Sequence, residues 1–413
     1  MTPPVVAIDY DLGAAGPMEI VRAARGVCEP LFVIDRASPH CAEMLPVLQR
    51  CATVCDVTGL DDDAAAALVA RHSPAGVTTF CEYRIGHAAH IGRALGLAAH
   101  SPSTVAALTD KHAQRDALAR AGLDVPRHIA VSDPGELAAA VAELGPPVVV
   151  KPRHGAGSVD TYVVWPDELT LPPPGARRAP AVGRAVVEKM LVGDPTVAGP
   201  DWGDYVSVES VVRGGVPTHT GVTGKFPLTE PLRETGFIFP STLTPADLRT
   251  VTDTADRALA AVGFADGACH VEIKLTAAGP RVIEINGRMG GSVSDIIERY
   301  SGACFLRTAL SACAGQQVDV PATGGALPVA FSYFVLPPAW ATRIAALGDP
   351  AATRRIPGVA QVRFARAVGD AVSWRDGTPG RVATVRGTAA THSGVLDIIG
   401  QVNATLDIRY TCD

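Results

Sequence analysis

Glutamate, asparagine and arginine recur at alternate positions in the stretch ACHVEIKLTAAGPRVIEINGRMGGS, residues 268–292. The runs Cys269 to Leu275 and Arg281 to Asn286 alternate apolar and polar residues about a Gly-Pro turn, the pattern of an antiparallel hairpin with one buried and one functional face. Pairing Leu275 with Arg281 predicts Glu272 directly opposite Glu284. Alternation then puts His270, Glu272 and Lys274 on one side with Glu284, Asn286 and Arg288. Two like charges so placed repel each other. A cation between them removes the conflict, and two carboxylates with an amide carbonyl are the hard oxygen donors that Mg2+ takes, phosphate oxygens and water completing its shell. Arg288 stands beside that metal as a positive fork for an anion. An exposed hairpin whose acids pair with Lys274 and Arg281 gives the same alternation, but Gly287, Gly290 and Gly291 follow at once and upstream segments supply matching parts for phosphate.

The first of those parts is PPVVVKPRHGAGSVDTYVV, which reads as strand, Gly-rich loop and strand. Backbone amides at Gly155, Ala156, Gly157 and Ser158 can approach phosphate oxygens closely, with Lys151 adding charge at the strand end. The chain has five lysines against 31 arginines, and Lys111, Lys151 and Lys225 fall in segments of this kind. Lys111 lies near the start of the helix TDKHAQRDALARAGL, which stops before Gly122, and Lys225 follows a hairpin turning at Gly214 and Gly215. Residues 4–100 alternate the strands VVAID, LFVID, ATVCD and GVTTFCE with helices starting near Pro17, Ser38, Asp61 and Tyr83, which predicts an open parallel α/β layer. Its first turn, DLGAAG, lacks a dinucleotide fingerprint, and no GxxxxGK[ST] P-loop occurs in the chain. Glu82 ends the fourth strand at the carboxyl edge of the layer, where it either meets a ligand or caps a helix. Residues 171–180 read as a Pro-rich surface loop, and residues 315–413 as a sheet with one or two helices and no catalytic cluster.

HVEIK, the twelve residues from Glu272 to Glu284, and EINGR together resemble the metal-binding hairpin of the ATP-grasp superfamily, and the stretch through GRMGGS is most similar to the L-amino-acid ligases, or dipeptide synthetases, and related carboxylate-amine ligases. DK followed by Arg115 and AGLDVP, and KPxxGxGS after three valines, extend the likeness over nearly the whole chain. The resemblance implies an ATP-grasp fold, α/β with α+β elements. Residues 1–105 would form an N-terminal open parallel-sheet domain, 106–314 the ATP-grasp domain with a flexible lid subdomain at 125–192 and the metal hairpin at 268–288, and 315–413 a C-terminal α+β lid domain.

It further implies ATP and Mg2+, two ions replaceable by Mn2+, as cofactors, amino acids as small-molecule partners, and a homodimer. By the same likeness Lys111 contacts a phosphate, Lys151 lies on the adenine side, Gly155 to Ser158 form the phosphate lid, and backbone groups of Glu188 and Leu191 meet the adenine edge. Asp204, with Asp194 as second choice, takes the ribose, and Lys225 reaches the phosphates or the substrate. Glu234, in TEPLRETGFIFPS, is the candidate for a substrate ammonium. Phe237 stands where some relatives carry a histidine, a departure from the family's usual substrate preference.

The reaction expected from these parts has two steps. A carboxylate attacks the γ-phosphate to give an acyl phosphate and ADP, then an amine attacks the acyl carbon while Arg288 with Gly290 and Gly291 stabilises the oxyanion. The product is a dipeptide or γ-glutamyl-type amide, from primary metabolism or antibiotic biosynthesis. Biotin-carboxylase-like enzymes of the same fold need Gln-Val-Glu where this chain has Gly290, Gly291 and Ser292. A purine-pathway ATP-grasp enzyme is another alternative. A non-catalytic nucleotide-binding regulator is a third, though it has no use for a transition-state arginine.

Composition agrees with such an enzyme. A chain of 413 residues holds two or three domains, and 47% hydrophobic residues supply a sizeable core. The formal charge of −6 argues against a nucleic-acid partner. No apolar run reaches membrane-span length, so no membrane partner is expected. The acidic N-terminus reads as a first strand rather than a signal peptide. Nine scattered cysteines suggest reduced thiols and a cytoplasmic protein.

Overall fold

The computed structural model describes residues 2–166, 185–318 and 327–412, so the Pro-rich stretch 171–180 lies outside the described residues. The apolar runs near the N-terminus become the parallel strands β1 (Val5–Asp9), β2 (Glu29–Ile34), β3 (Thr53–Asp56) and β4 (Gly76–Thr78), in the order β3-β2-β1-β4. Helices α1 (Pro17–Ala24), α2 (Pro39–Cys51), α3 (Asp62–Ala70) and α4 (Ile85–Ala94) connect and cover them. Side-chain caps start two of these helices: Ser38 accepts from the amide of Cys41 and Asp61 from that of Ala64. The fourth strand is shorter than expected. It stops at Thr78, and Glu82 opens a 3-10 turn that leads into α4.

Two helices, α5 (Pro102–Thr109) and α6 (Lys111–Arg120), lead to a small second unit. Asp110 caps α6 through the amides of His112 and Ala113. The helix stops just before Gly122, whose φ of +75° suits glycine. Strands β5 (His128–Val131), β6 (Val148–Pro152), β7 (Tyr162–Val164) and β8 (Ala185–Lys189) then form an antiparallel sheet ordered β5-β8-β6-β7, with α7 (Pro134–Leu144) against it. Val131, Leu137, Val141, Val148, Val150 and Val187 give this unit a core of its own.

The rest of the chain, after a short α8 (Pro195–Ala198), builds one large sheet. It takes β9 (Tyr205–Arg213), β10 (Val216–Lys225), β11 (Gly236–Phe239), β12 (Gly267–Thr276) and β13 (Gly279–Asn286), together with β14 (Val329–Val335), β16 (Val359–Phe364) and β17 (Ala383–Ala389) from the C-terminal stretch. Its eight strands run β13-β12-β9-β10-β11-β14-β17-β16. The C-terminal strands therefore extend the sheet of the β12–β13 hairpin, and among the described residues of that stretch only β15 (Arg343–Ala346) and β18 (Arg409–Thr411) form a separate pair. Helices α9 (Pro245–Ala261) and α13 (His392–Leu406), with the short α12 (Pro350–Arg354), accompany one face. Apolar residues of that face, among them Val206, Val208, Val222, Ile238, Ile273, Phe331 and Val385, join the main core with Val251, Leu259, Val395 and Val402. Helices α10 (Val293–Ser301) and α11 (Phe305–Cys313) pack on the other side, between the sheet and α1. Alternation leaves Ser207, Glu209, Thr223, Lys225, Phe237, His270, Glu272, Ser332 and Arg386 on that second face.

Candidate active site

The hairpin β12–β13 brings the expected acids together by a different route. Its turn lies at residues 277 and 278, and Leu275 pairs with Pro280 rather than Arg281. A bulge at Ile283 then shifts the register by one, so that Glu272 faces Glu284 and His270 faces Asn286 after all. The bulge has a partner: the Ile283 carbonyl accepts from Arg115 Nη2 at 2.5 Å, and Gln114 of the same helix exchanges hydrogen bonds with the backbone of Ile285. Helix α6 thus covers the outer edge of the sheet and fixes how β13 presents its acids.

One oxygen of each acid is engaged. Lys111 Nζ lies 2.9 Å from Glu284 Oε1 and donates to the Gly155 carbonyl at 2.5 Å, linking the hairpin to the glycine loop. His270 Nε2 lies 3.1 Å from Glu272 Oε1. The second oxygens of Glu272 and Glu284 have no protein hydrogen-bond partner among the described residues. Asn286 donates from Nδ2 to the His270 carbonyl, which turns its own Oδ1 towards Arg288 Nη2 at 3.1 Å. Arg288 also lies 3.0 Å from Glu82 Oε2, so Glu82 belongs to the site although it follows the strand rather than ending it. Burial pushes the Glu82 carboxyl up despite that arginine.

Behind the hairpin is a set of residues that the sequence reading missed. Glu209 is wholly buried, and its Oε1 takes Ser207 at 2.9 Å, Thr223 at 3.3 Å and His270 Nδ1 at 2.7 Å, while its Oε2 has no hydrogen-bond partner among the described residues. Burial alone would lower the His270 pKa, but Glu209 on one side and Glu272 on the other raise it to about 9. The signal was present in YVSVESVV, where Ser207 and Glu209 break a run of valines at alternate positions. Gly290 packs on this histidine, since a β-carbon there would lie 2.6 Å from Nδ1, whereas Gly291 faces open space.

The lid residues assemble on a second buried acid. Glu188 accepts from Arg115 Nε at 2.9 Å and lies 2.8 Å from Lys151 Nζ. Burial works to raise its pKa, and the two cations outweigh that and hold it at about 2. Gly155, Gly157 and Ser158 adopt φ of +121°, +73° and +57°, backbone conformations that favour glycine. Ala156 lies between them, and Leu191 follows β8, half-buried. Residues of the C-terminal stretch hold this loop: the Thr378 amide donates to the Gly157 carbonyl at 2.8 Å, and Arg375 pairs with Asp160 at 2.9 Å. Sequence reasoning found no such contact, because nothing local marks a partner more than 200 residues away.

At the middle of the sheet, Lys225 is fully buried against Glu234 Oε1 at 2.9 Å, with its ammonium 4.1 Å from the Phe237 ring centre. Phe237 meets Phe334 edge-on at 5.2 Å, and Arg381 stands over Phe334, also at 5.2 Å. Tyr205 reaches Glu234 at 3.4 Å. Arg386 donates to Ser292 Oγ at 3.0 Å, directly after the glycine pair. Of the two ribose candidates, Asp204 pairs with Lys274 at 2.6 Å on the site face, whereas the Asp194 carboxylate is occupied in capping α8 through Thr196.

No family model matches the chain. Alanine–anticapsin ligase of Bacillus subtilis (strain 168) is 25% identical over 269 residues, 59% of this chain and 55% of that protein. Carnosine synthase 1 of Mus musculus is 39% identical over 118 residues, 28% of this chain and 14% of that protein. The chain spans about half or less of the length of such curated relatives. The crystal structure of L-amino acid ligase from Bacillus licheniformis superposes with a TM-score of 0.75 at 18% identity, covering 99% of each chain. No helix among the described residues is long and apolar enough to cross a membrane. In fold, the chain is an ATP-grasp protein, like that L-amino acid ligase.

Proposed function

We propose that the protein is an ATP-dependent carboxylate-amine ligase that joins an amino-acid carboxylate to an amine, a second amino acid in the reading favoured here, through an acyl phosphate with release of ADP and phosphate. The observation that carries this reading is the in-register pair Glu272 and Glu284, with Asn286 and Arg288 beside it and Lys111 joining it to the glycine loop. The names of the alanine–anticapsin and L-amino acid ligases support the choice of substrates.

The donor set fits Mg2+. Two opposed carboxylates, each with an oxygen to spare, and an oriented amide oxygen are hard ligands held where a dication neutralises their repulsion. Bound there, the metal would screen phosphate charge. The chain's own groups do the rest. Lys111, Lys151 and the amides of Gly155 to Ser158 hold and align the phosphates, which is most of what phosphoryl transfer asks of a protein. Asp204 takes the ribose, while the backbone of Glu188 and Leu191 takes the adenine edge. Glu234 and Lys225, flanked by Tyr205 and Phe237, position the substrate's ammonium and carboxylate. Arg288, oriented by Asn286, and the amides beyond Gly290 stabilise the oxyanion formed when the amine attacks. Leaving Gly291 without a side chain keeps that approach open.

The test is ATP consumption with Mg2+ across all pairs of the twenty amino acids, scoring ADP and phosphate separately from AMP and pyrophosphate. ADP release dependent on one pair, with a condensed product of matching mass, is expected. AMP release refutes the acyl-phosphate route, and ATP turnover that ignores every amino acid but depends on bicarbonate refutes the ligase reading.

A further inference from the structure

We propose that His112, Asp116 and His128 form a second metal site, for a borderline transition ion such as Zn2+ or Co2+, that fastens the lid unit to helix α6. His112 and Asp116 are four residues apart on α6 and so share a face. His128 opens β5, the first strand of the lid, on the far side of the 121–127 connection. His112 Nδ1 lies 3.3 Å from Asp116 Oδ2, and His128 Nε2 lies 3.2 Å from Asp116 Oδ1. One donor atom from each of the three residues falls within 4.8 Å of the other two.

Three observations point to a metal rather than a chance surface cluster. His128 Nδ1 lies 3.1 Å from the Pro126 carbonyl, which can only accept, so Nδ1 carries a hydrogen and Nε2 is the nitrogen that faces Asp116. A backbone carbonyl on the far nitrogen is also the usual way a ligating histidine is oriented. Each histidine nitrogen lies 3.2–3.3 Å from one of the two Asp116 oxygens, near the edge of about 3.3 Å expected of a tetrahedron with metal bonds of about 2.0–2.1 Å. Finally, the two imidazoles stand edge to face at 5.2 Å and 81°, each with a nitrogen on the same carboxylate. Two nitrogens and one carboxylate suit Zn2+, Co2+ or Ni2+ better than Mg2+, and the half-exposed Asp116 leaves a fourth position for water.

The location gives the site a consequence. Leu118 on α6 belongs to the main core, whereas Val131 on β5 belongs to the lid's separate core. An ion held by both fixes the angle between them one residue from Lys111, which donates to the lid's Gly155. Metal at this site therefore biases the position of the glycine loop.

The test is titration of the full chain with Co2+ in saturating Mg2+. One equivalent giving visible absorption bands of tetrahedral strength is expected, with affinity reduced at least ~100-fold in His128→Gln and in Asp116→Asn. Zinc-edge X-ray absorption on the unaltered protein, which needs no variant, should show nitrogen and oxygen neighbours with imidazole scattering. Absence of a stoichiometric ion, a sulfur shell, or an affinity in both variants equal to that of the unaltered protein overturns the proposal.

Discussion

At the scale of single residues the site is a set of charges placed where each needs a partner. Glu272 and Glu284 are opposed, and Lys111 and His270 each satisfy one oxygen of one acid. Glu284→Gln keeps the shape and removes one of the two negative ligands. Loss of ADP formation by at least ~10²-fold is expected, the scale on which charge-stabilising groups in an active site act, and an unchanged rate would sink the metal assignment. Glu188 makes a different prediction. Its folded pKa of about 2 lies below the ordinary carboxylate value of 4.5, so its contribution is complete above pH 4.5 and is lost as pH falls towards 2. At about 1.4 kcal/mol per pKa unit that amounts to roughly 3 kcal/mol. Glu188→Gln, which strands Arg115 and Lys151, should cost about 3–5 kcal/mol near neutrality and flatten that acid limb. Urea midpoints at pH 7, 4.5 and 3 measure both effects, and an identical acid limb in the variant would remove the assignment. Most of these residues could be picked out beforehand because alternation along one strand is local information. Glu209 shows in the same alternation, but its role does not, since its partners His270 and Thr223 come from two other strands.

At the scale of elements, register and turns decide what those residues can do. The sequence suggested a turn at Gly279 and Pro280, but both lie within β13, and the bulge at Ile283 restores the pairing that the shorter turn would otherwise offset by one residue. A bulge is invisible to a two-residue period, and its cause here, Arg115 on the Ile283 carbonyl, lies on a distant helix. The glycine loop has a similarly remote support. Gly377 has φ +60° and ψ −149°, a region closed to other residues, and a β-carbon there would press on the Gly157 carbonyl. Gly377→Ala should therefore push the loop off its C-terminal contact, raising the KM for ATP while leaving helices α1 to α4 intact. Limited proteolysis should show faster cleavage near residues 155–160 in the variant. Unaltered cleavage and KM would show that the clasp does not position the loop.

At the scale of the whole molecule, the large sheet separates two apolar cores, and the small sheet has a third of its own. The N-terminal layer shares a core with α10, α11, Phe237 and Phe239, so it is continuous with the back of the site. The small second unit has its own cluster, on which Trp374 of the C-terminal stretch packs, and otherwise reaches the rest through polar contacts, among them Lys111 with Gly155, Arg115 with Glu188, and Thr378 with Gly157. Units joined by a few polar contacts open more readily than units sharing an apolar core. The division of the chain into an N-terminal layer and a lid could be read from strand type, because parallel buried runs and a glycine-interrupted hairpin look different in sequence. The sharing of one sheet by residues 205–286 and 329–389 could not, because strand order is set by packing across long separations. These differences in coupling predict how the molecule answers its nucleotide. On the proposed function, Mg-ATP bound against the glycine loop stabilises the arrangement that holds it by mass action, and the gain falls on the element that opens most easily. Amide hydrogen exchange at residues 150–164 should slow markedly on adding Mg-ATP, while β1 to β4, already buried in a shared core, should change little. Equal slowing across both units would mean that lid and body open together, and no slowing at the glycine loop would mean that the nucleotide binds elsewhere.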